Sequence, residues 1–250
     1  MVRGIDAFRK HFKGLENQYV LIGGAACDIL FAKNNSQFRA TRDLDIVLIV
    51  EALTPEFGEK FWEFVEAGQY RNKATSVGKP QFYRFDKPEN NGYPKMLELF
   101  SRSDWSLKSM RGLTKIHIDD EVSSLSAILL NDEYYQALLS GRVVIHDLCV
   151  LRPEYLILFK AKAYLDLKER RETGETIDSR DIKKHKNDIL RILTEFVLED
   201  VNDLPETVKN DMQTFIYELQ MEPFDEDMLK TVGLSSEEMV NQLIALYQCE

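Results

Sequence analysis

Ile5, Phe8 and Phe12 recur at helical spacing in the first dozen residues, which predicts an amphipathic helix. The short apolar run Tyr19 to Ile22 predicts a strand, and it ends at Gly23-Gly24. After the glycines, "AACDILFAK" supplies small residues and then Ile29, Leu30 and Phe31, so Tyr19 to Lys33 reads as strand, glycine turn and helix. Asp43 to Val50, "DLDIVLIV", is β-branched and apolar after its first three residues, the pattern of a buried strand with a polar leading end. Phe57, Phe61, Phe64 and Val65 form one stripe and predict a helix from Phe57 to Ala67. Gln81 to Asp86 and Lys95 to Phe100 predict two strands, paired as a hairpin across the loop residues of "KPENNGYP". Thr114 to Ile118 and Arg142 to Leu148 are further expected strands, on either side of a helical stretch from Val122 to Leu139.

From Pro153 onward the pattern is helical with no convincing strand. A first helix opens with Pro in its first turn, "PEYLILFKAKAYLDLKERRE", and is broken at Gly174. Others are expected from about Ser179 to Leu198, Pro205 to Leu219 and Ser235 to Gln248. The boundary between an α/β part and a helical part is expected near Val150, giving domains of residues 1–150 and 151–250.

Composition adds that the 250 residues, 44% hydrophobic and 10% aromatic, suffice for one large or two modest cores, which excludes intrinsic disorder. The formal charge of −10 argues against bulk wrapping of nucleic acid, which needs a basic surface. That charge is unevenly spread, however. Residues 192–250 hold two basic against fourteen acidic side chains, whereas residues 151–191 hold eleven basic against eight acidic. A local contact with an RNA end therefore stays open. Cys27, Cys149 and Cys249 are far apart and lack zinc-type spacing, so reduced thiols are expected. With charges where a signal peptide needs its apolar run, and no apolar run of membrane-spanning length, a cytoplasmic protein with no membrane partner is expected.

The strongest chemical signal is Gly23-Gly24 opening a helix, followed about twenty residues later by Asp43 and Asp45 heading a strand. Two glycines at such a turn let a backbone approach closely and aim free N–H groups at an anion, typically phosphate; close helix–sheet packing alone explains them equally well. Asp43 and Asp45 project from one strand face about 7 Å apart. They repel unless a cation sits between them, and hard oxygen ligands of this kind suit Mg²⁺. Glu98 in "KMLELF" shares a face with Met96 and Phe100 inside an apolar run. If its strand neighbours Asp43 to Val50, three carboxylates converge, and such a triad can hold two divalent ions about 4 Å apart.

These residues carry a resemblance. "LIGGAACDILF" with "ATRDLDIVL" resembles the glycine turn and DxD pair of the polymerase-β-like nucleotidyltransferase superfamily. More narrowly, "SAILLNDEYY", "LRPEYLILFKAKAYLDL" and "DSRDIKKHKNDILRI" resemble the AbiEii/MenT-type nucleotidyltransferases, toxin components of some bacterial toxin–antitoxin pairs. The resemblance spans roughly Tyr19 to Ile192. It implies an α+β chain, with an N-terminal nucleotidyltransferase-like mixed sheet flanked by helices and a C-terminal helical bundle. It also implies Mg²⁺- or Mn²⁺-dependent transfer of a nucleoside monophosphate from an NTP, with pyrophosphate release, to an RNA 3′ end (tRNA among them) or a protein, and a cognate antitoxin as partner.

By motif position, Gly23 and Gly24 would meet the phosphates, Asp43 and Asp45 the metal, and Glu98 would be the third acid, activating the acceptor hydroxyl. Lys160 matches the lysine of the first C-terminal motif, and Asp188 the acid closing the second. Ala25 departs from the pattern, standing where many members carry a Ser. Lys160 shares a stripe with Leu156, Ala163, Tyr164 and Leu167, on the side expected to be buried, so it needs an anionic partner or must snorkel to solvent. Asp181, Lys184, His185, Asp188 and Arg191 form a charged helical face. It is either simply solvated or closes over the nucleotide, with Lys184 on phosphate and Asp188 orienting Lys160 or the acceptor. Arg39 and Arg42 are weaker phosphate candidates. Two other readings remain: a phosphotransferase on the same fold, and a non-catalytic nucleotide-binding or interaction module.

Overall fold

The computed structural model describes residues 2–75, 81–102, 114–115, 128–129 and 131–249. Among these residues the chain is α+β, and it divides into two compact units. One comprises residues 1–118 and 142–151, the other residues 119–141 and 152–250. The segment 119–141, on the N-terminal side of a boundary near Val150, thus groups with the helical residues.

The first unit holds one mixed sheet. Its strands are β1 (Tyr19–Leu21), β2 (Asp43–Leu48), β3 (Tyr70–Thr75), β4 (Gln81–Pro88), β5 (Met96–Ser101), β6 (Thr114–Lys115), β7 (Arg142–Ile145) and β8 (Leu148–Leu151), in the order β6-β3-β4-β5-β2-β1-β8-β7. The expected hairpin is present, β4 pairing antiparallel with β5. β2 runs parallel to β5 on one side and antiparallel to β1 on the other.

Strand alternation sorts the side chains of this sheet. Leu44, Ile46, Leu48, Tyr83, Phe85, Leu97 and Leu99 are fully buried, while Asp43, Asp45 and Arg84 at the alternate positions retain some exposure. The apolar side meets helices α1 (Ile5–His11) and α3 (Pro55–Gly68) through an aromatic cluster. Phe8 stacks on Phe12 at 4.4 Å, Tyr19 and Phe57 lie 6.4 Å apart, and Phe61 meets Phe85 at 5.5 Å. The α3 stripe read from Phe57, Phe61, Phe64 and Val65 is wholly buried. Thr54 starts that helix by accepting from Phe57 N, with Pro55 in the first turn.

Three elements differ from the sequence expectation. Arg142 to Leu148 is two strands rather than one, because His146 and Asp147 both take left-handed φ, 49° and 59°, and turn β7 back onto β8. The strand β3 and the short helix Glu226–Val232 were not anticipated. The expected strand continuing to Ile118 and most of the helix from Val122 lie outside the described residues; residues 128–129 and α4 (Asp132–Ser140) are helical.

The second unit is helical: α4, α5 (Pro153–Glu172), α6 (Ser179–Glu195), α7 (Glu206–Met221), α8 (Glu226–Val232) and α9 (Ser236–Tyr247). Ion pairs join α5 to α7, Lys162 reaching Asp211 at 3.3 Å and Lys168 reaching Glu218 and Glu222. Lys186, nearly buried on α6, donates to the carbonyls of Glu222 and Pro223 at 3.1 Å each and so fixes the end of α7. No helix among the described residues is long and apolar enough to cross a membrane.

Candidate active site

In the first unit, helix α2 (Gly23–Lys33) starts directly after β1. Ile22, the residue before it, offers no side-chain acceptor, so its leading N–H groups depend on other partners. Gly23 sits at φ +62°, and a Cβ there would lie 2.1 Å from Asp45 Oδ2; a Cβ on Gly24 would lie 2.7 Å from Thr41 Oγ1. Glycine is therefore required by the approach of the Asp45 carboxylate as well as by backbone conformation. The bond from Ile22 N to Asp45 O, 3.1 Å, holds the strand head against the turn. Ala25 is buried in the first turn of α2 and brings no hydroxyl.

The register of β2 and β5 puts Asp45 opposite Glu98 and Asp43 opposite Met96. Their side chains share one sheet face, with Asp45 and Glu98 side by side on neighbouring strands. Burial pushes Glu98 above the ordinary carboxylate range and the nearby Asp43 charge adds to this, while Arg84 opposes it. Arg84, on β4 opposite Glu98, places Nε 2.9 Å and Nη2 2.7 Å from the same oxygen, Oε1. Arg84 was missing from the sequence reading; the only signal was its polar position in the alternating run "QFYRFD". Arg42, just before β2, is exposed.

Among the described residues, no three His, Cys, Asp or Glu side chains form a ready metal cage. The donor chemistry nonetheless fits a hard divalent cation, since an ion at Asp43 and Asp45 would offset the repulsion of two carboxylates on one strand face.

The second unit holds the remaining sequence candidates. Lys160 is buried on α5, and its Nζ lies 2.8 Å from Oδ2 of Asp188, which is fully buried on α6. Arg191 Nη1 approaches the other oxygen at 3.5 Å. The α6 face carrying Asp188 is therefore not simply solvated: a carboxylate belonging to it is packed inside. Lys184 is half-buried on the same helix. The structure thus gathers Gly23, Gly24, Asp43, Asp45 and Glu98 at one end of the sheet, and joins Lys160 to Asp188 within the helical unit.

Gly23→Ala gives the first check on this geometry. It forces a left-handed φ on a residue with a side chain and drives Asp45 off its position, so a loss of about 1–3 kcal/mol in chemical denaturation is expected. Unchanged stability would show that the turn relaxes freely. No model of a known protein family and no curated protein matches the chain.

Proposed function

We propose that the chain is a divalent-metal-dependent nucleotidyltransferase that moves a nucleoside monophosphate from an NTP to an acceptor hydroxyl, on an RNA 3′ end or a protein, and serves as the toxin of a toxin–antitoxin pair. The observation that carries the reading is the position of the Asp45 carboxyl, in register with Glu98 and against the glycine that opens α2. A phosphate-accepting helix start and a pair of strand carboxylates in one place are what the chemistry requires.

In this reading the leading N–H groups of α2 receive the triphosphate, and the absence of a Cβ at Gly23 and Gly24 lets it come close. Asp43 and Asp45 would hold a divalent cation, which neutralises charge developing on phosphate and favours ionisation of the acceptor hydroxyl. Glu98 lies beside Asp45 on the neighbouring strand. Lys160 and Asp188 pair with each other within the helical unit. Catalysis is mostly positioning plus electrostatics.

The test is incubation with each α-labelled NTP, Mg²⁺ and a cell extract, followed by separation of RNA, protein and small molecules. Label on RNA or protein with release of pyrophosphate is expected. Release of a nucleoside diphosphate would replace this reading with phosphotransfer, and metal-dependent NTP binding without turnover would leave a binding module.

A further inference from the structure

Arg84 alters what the acid cluster can hold. Along one line across three adjacent strands, the register reads Arg84 on β4, Glu98 on β5 and Asp45 on β2. Both Arg84 donors converge on Glu98 Oε1, and the side chains are only 19% and 9% exposed, so little water competes for the pair. On the other side of Glu98 the register places Asp45. A metal ion seeking Glu98 as a ligand would have to compete with a guanidinium that is already in place and permanently charged.

The charge count points the same way. Three ionised carboxylates, Asp43, Asp45 and Glu98, would attract two divalent ions; with Arg84 cancelling Glu98, two formal charges remain, which one divalent ion balances. We propose that Arg84 is a positioning residue that holds Glu98 as an internal counter-charge, so that the cluster takes one divalent cation on Asp43 and Asp45 instead of two shared by three carboxylates. This rests on the nucleotidyltransferase reading and departs from the two-ion arrangement that three convergent acids suggest.

The test is a Mn²⁺ titration of the whole chain, free Mn²⁺ being followed by its paramagnetic resonance signal, with circular dichroism confirming that each variant is folded. The wild-type protein is expected to bind one Mn²⁺. Arg84→Gln should bind a second ion or hold the first about tenfold more tightly, because a neighbouring positive charge is gone. Arg84→Lys keeps that charge and should stay at one ion. Glu98→Gln should also retain one ion, held about tenfold less tightly because the Arg84 charge is then unbalanced, since Glu98 is not a ligand, and Asp45→Asn should retain none.

Two ions on the wild type, an Arg84→Gln variant that titrates like it, or loss of Mn²⁺ in Glu98→Gln would each overturn the inference while leaving the catalytic reading standing. No Mn²⁺ on the wild type, with or without NTP, would overturn both. If Arg84→Gln does not fold, Glu98→Gln alone decides whether Glu98 is a ligand.

Discussion

Alanine at Asp43 is expected to reduce nucleotidyl transfer by about a thousandfold or more while leaving the folded protein intact. Asp43 heads β2 opposite Met96 and keeps some exposure, whereas Leu44, Ile46 and Leu48 carry the apolar packing of that strand. Its removal opens no cavity in the aromatic cluster. It also takes away a negative charge that raises the Glu98 pKa, so the acid pair is relieved rather than strained. Stability within about 0.5 kcal/mol of the wild type is therefore expected by urea denaturation, the usual range for a surface change. Transfer is read from labelled product at saturating NTP. Substantial transfer by folded Asp43→Ala protein would reject the site.

The contrast between a dispensable role in folding and an essential one in chemistry follows from where the sequence was readable. Strong periodicity survived folding: the α3 stripe, the strand of "DLDIVLIV" and the glycine turn all appear near their expected bounds. What was lost had weak local signals. "YRNKAT" has too little apolar alternation to announce β3, which is recruited by pairing with β4. His146-Asp147 lacks the Gly or Asn that usually marks a two-residue hairpin, so β7 and β8 read as one strand.

The candidate site was legible to the same degree. Asp43, Asp45 and Glu98 stand out because acids are costly in apolar strands, and the conditional adjacency of their strands is realised by the parallel β2–β5 pairing. Arg84 could not be read, because nothing in its own strand specifies which residue lies opposite. That is a matter of register, settled only when three strands pair. Asp188 was legible only as an alternative: on a helix dense with charge it reads either as solvated or as orienting Lys160, until the partner helix buries the two together.

Asp188→Ala is expected to cost about 3–5 kcal/mol. The Lys160 ammonium would stay buried, its side chain only 7% exposed, without the carboxylate 2.8 Å away, and Arg191 would lose its contact with the other oxygen. Desolvation of the buried ammonium, more than loss of attraction, sets the size of the effect. Replacing both partners with apolar residues of similar volume, Lys160→Met with Asp188→Leu, removes the buried charges together and should return stability to within about 1 kcal/mol of the wild type. Urea denaturation of the two single variants and the double variant completes the cycle. The double variant also separates structure from chemistry: if Lys160 serves the triphosphate, the stable double variant loses transfer, with the Michaelis constant for NTP rising. If the pair only joins α5 to α6, transfer returns with stability.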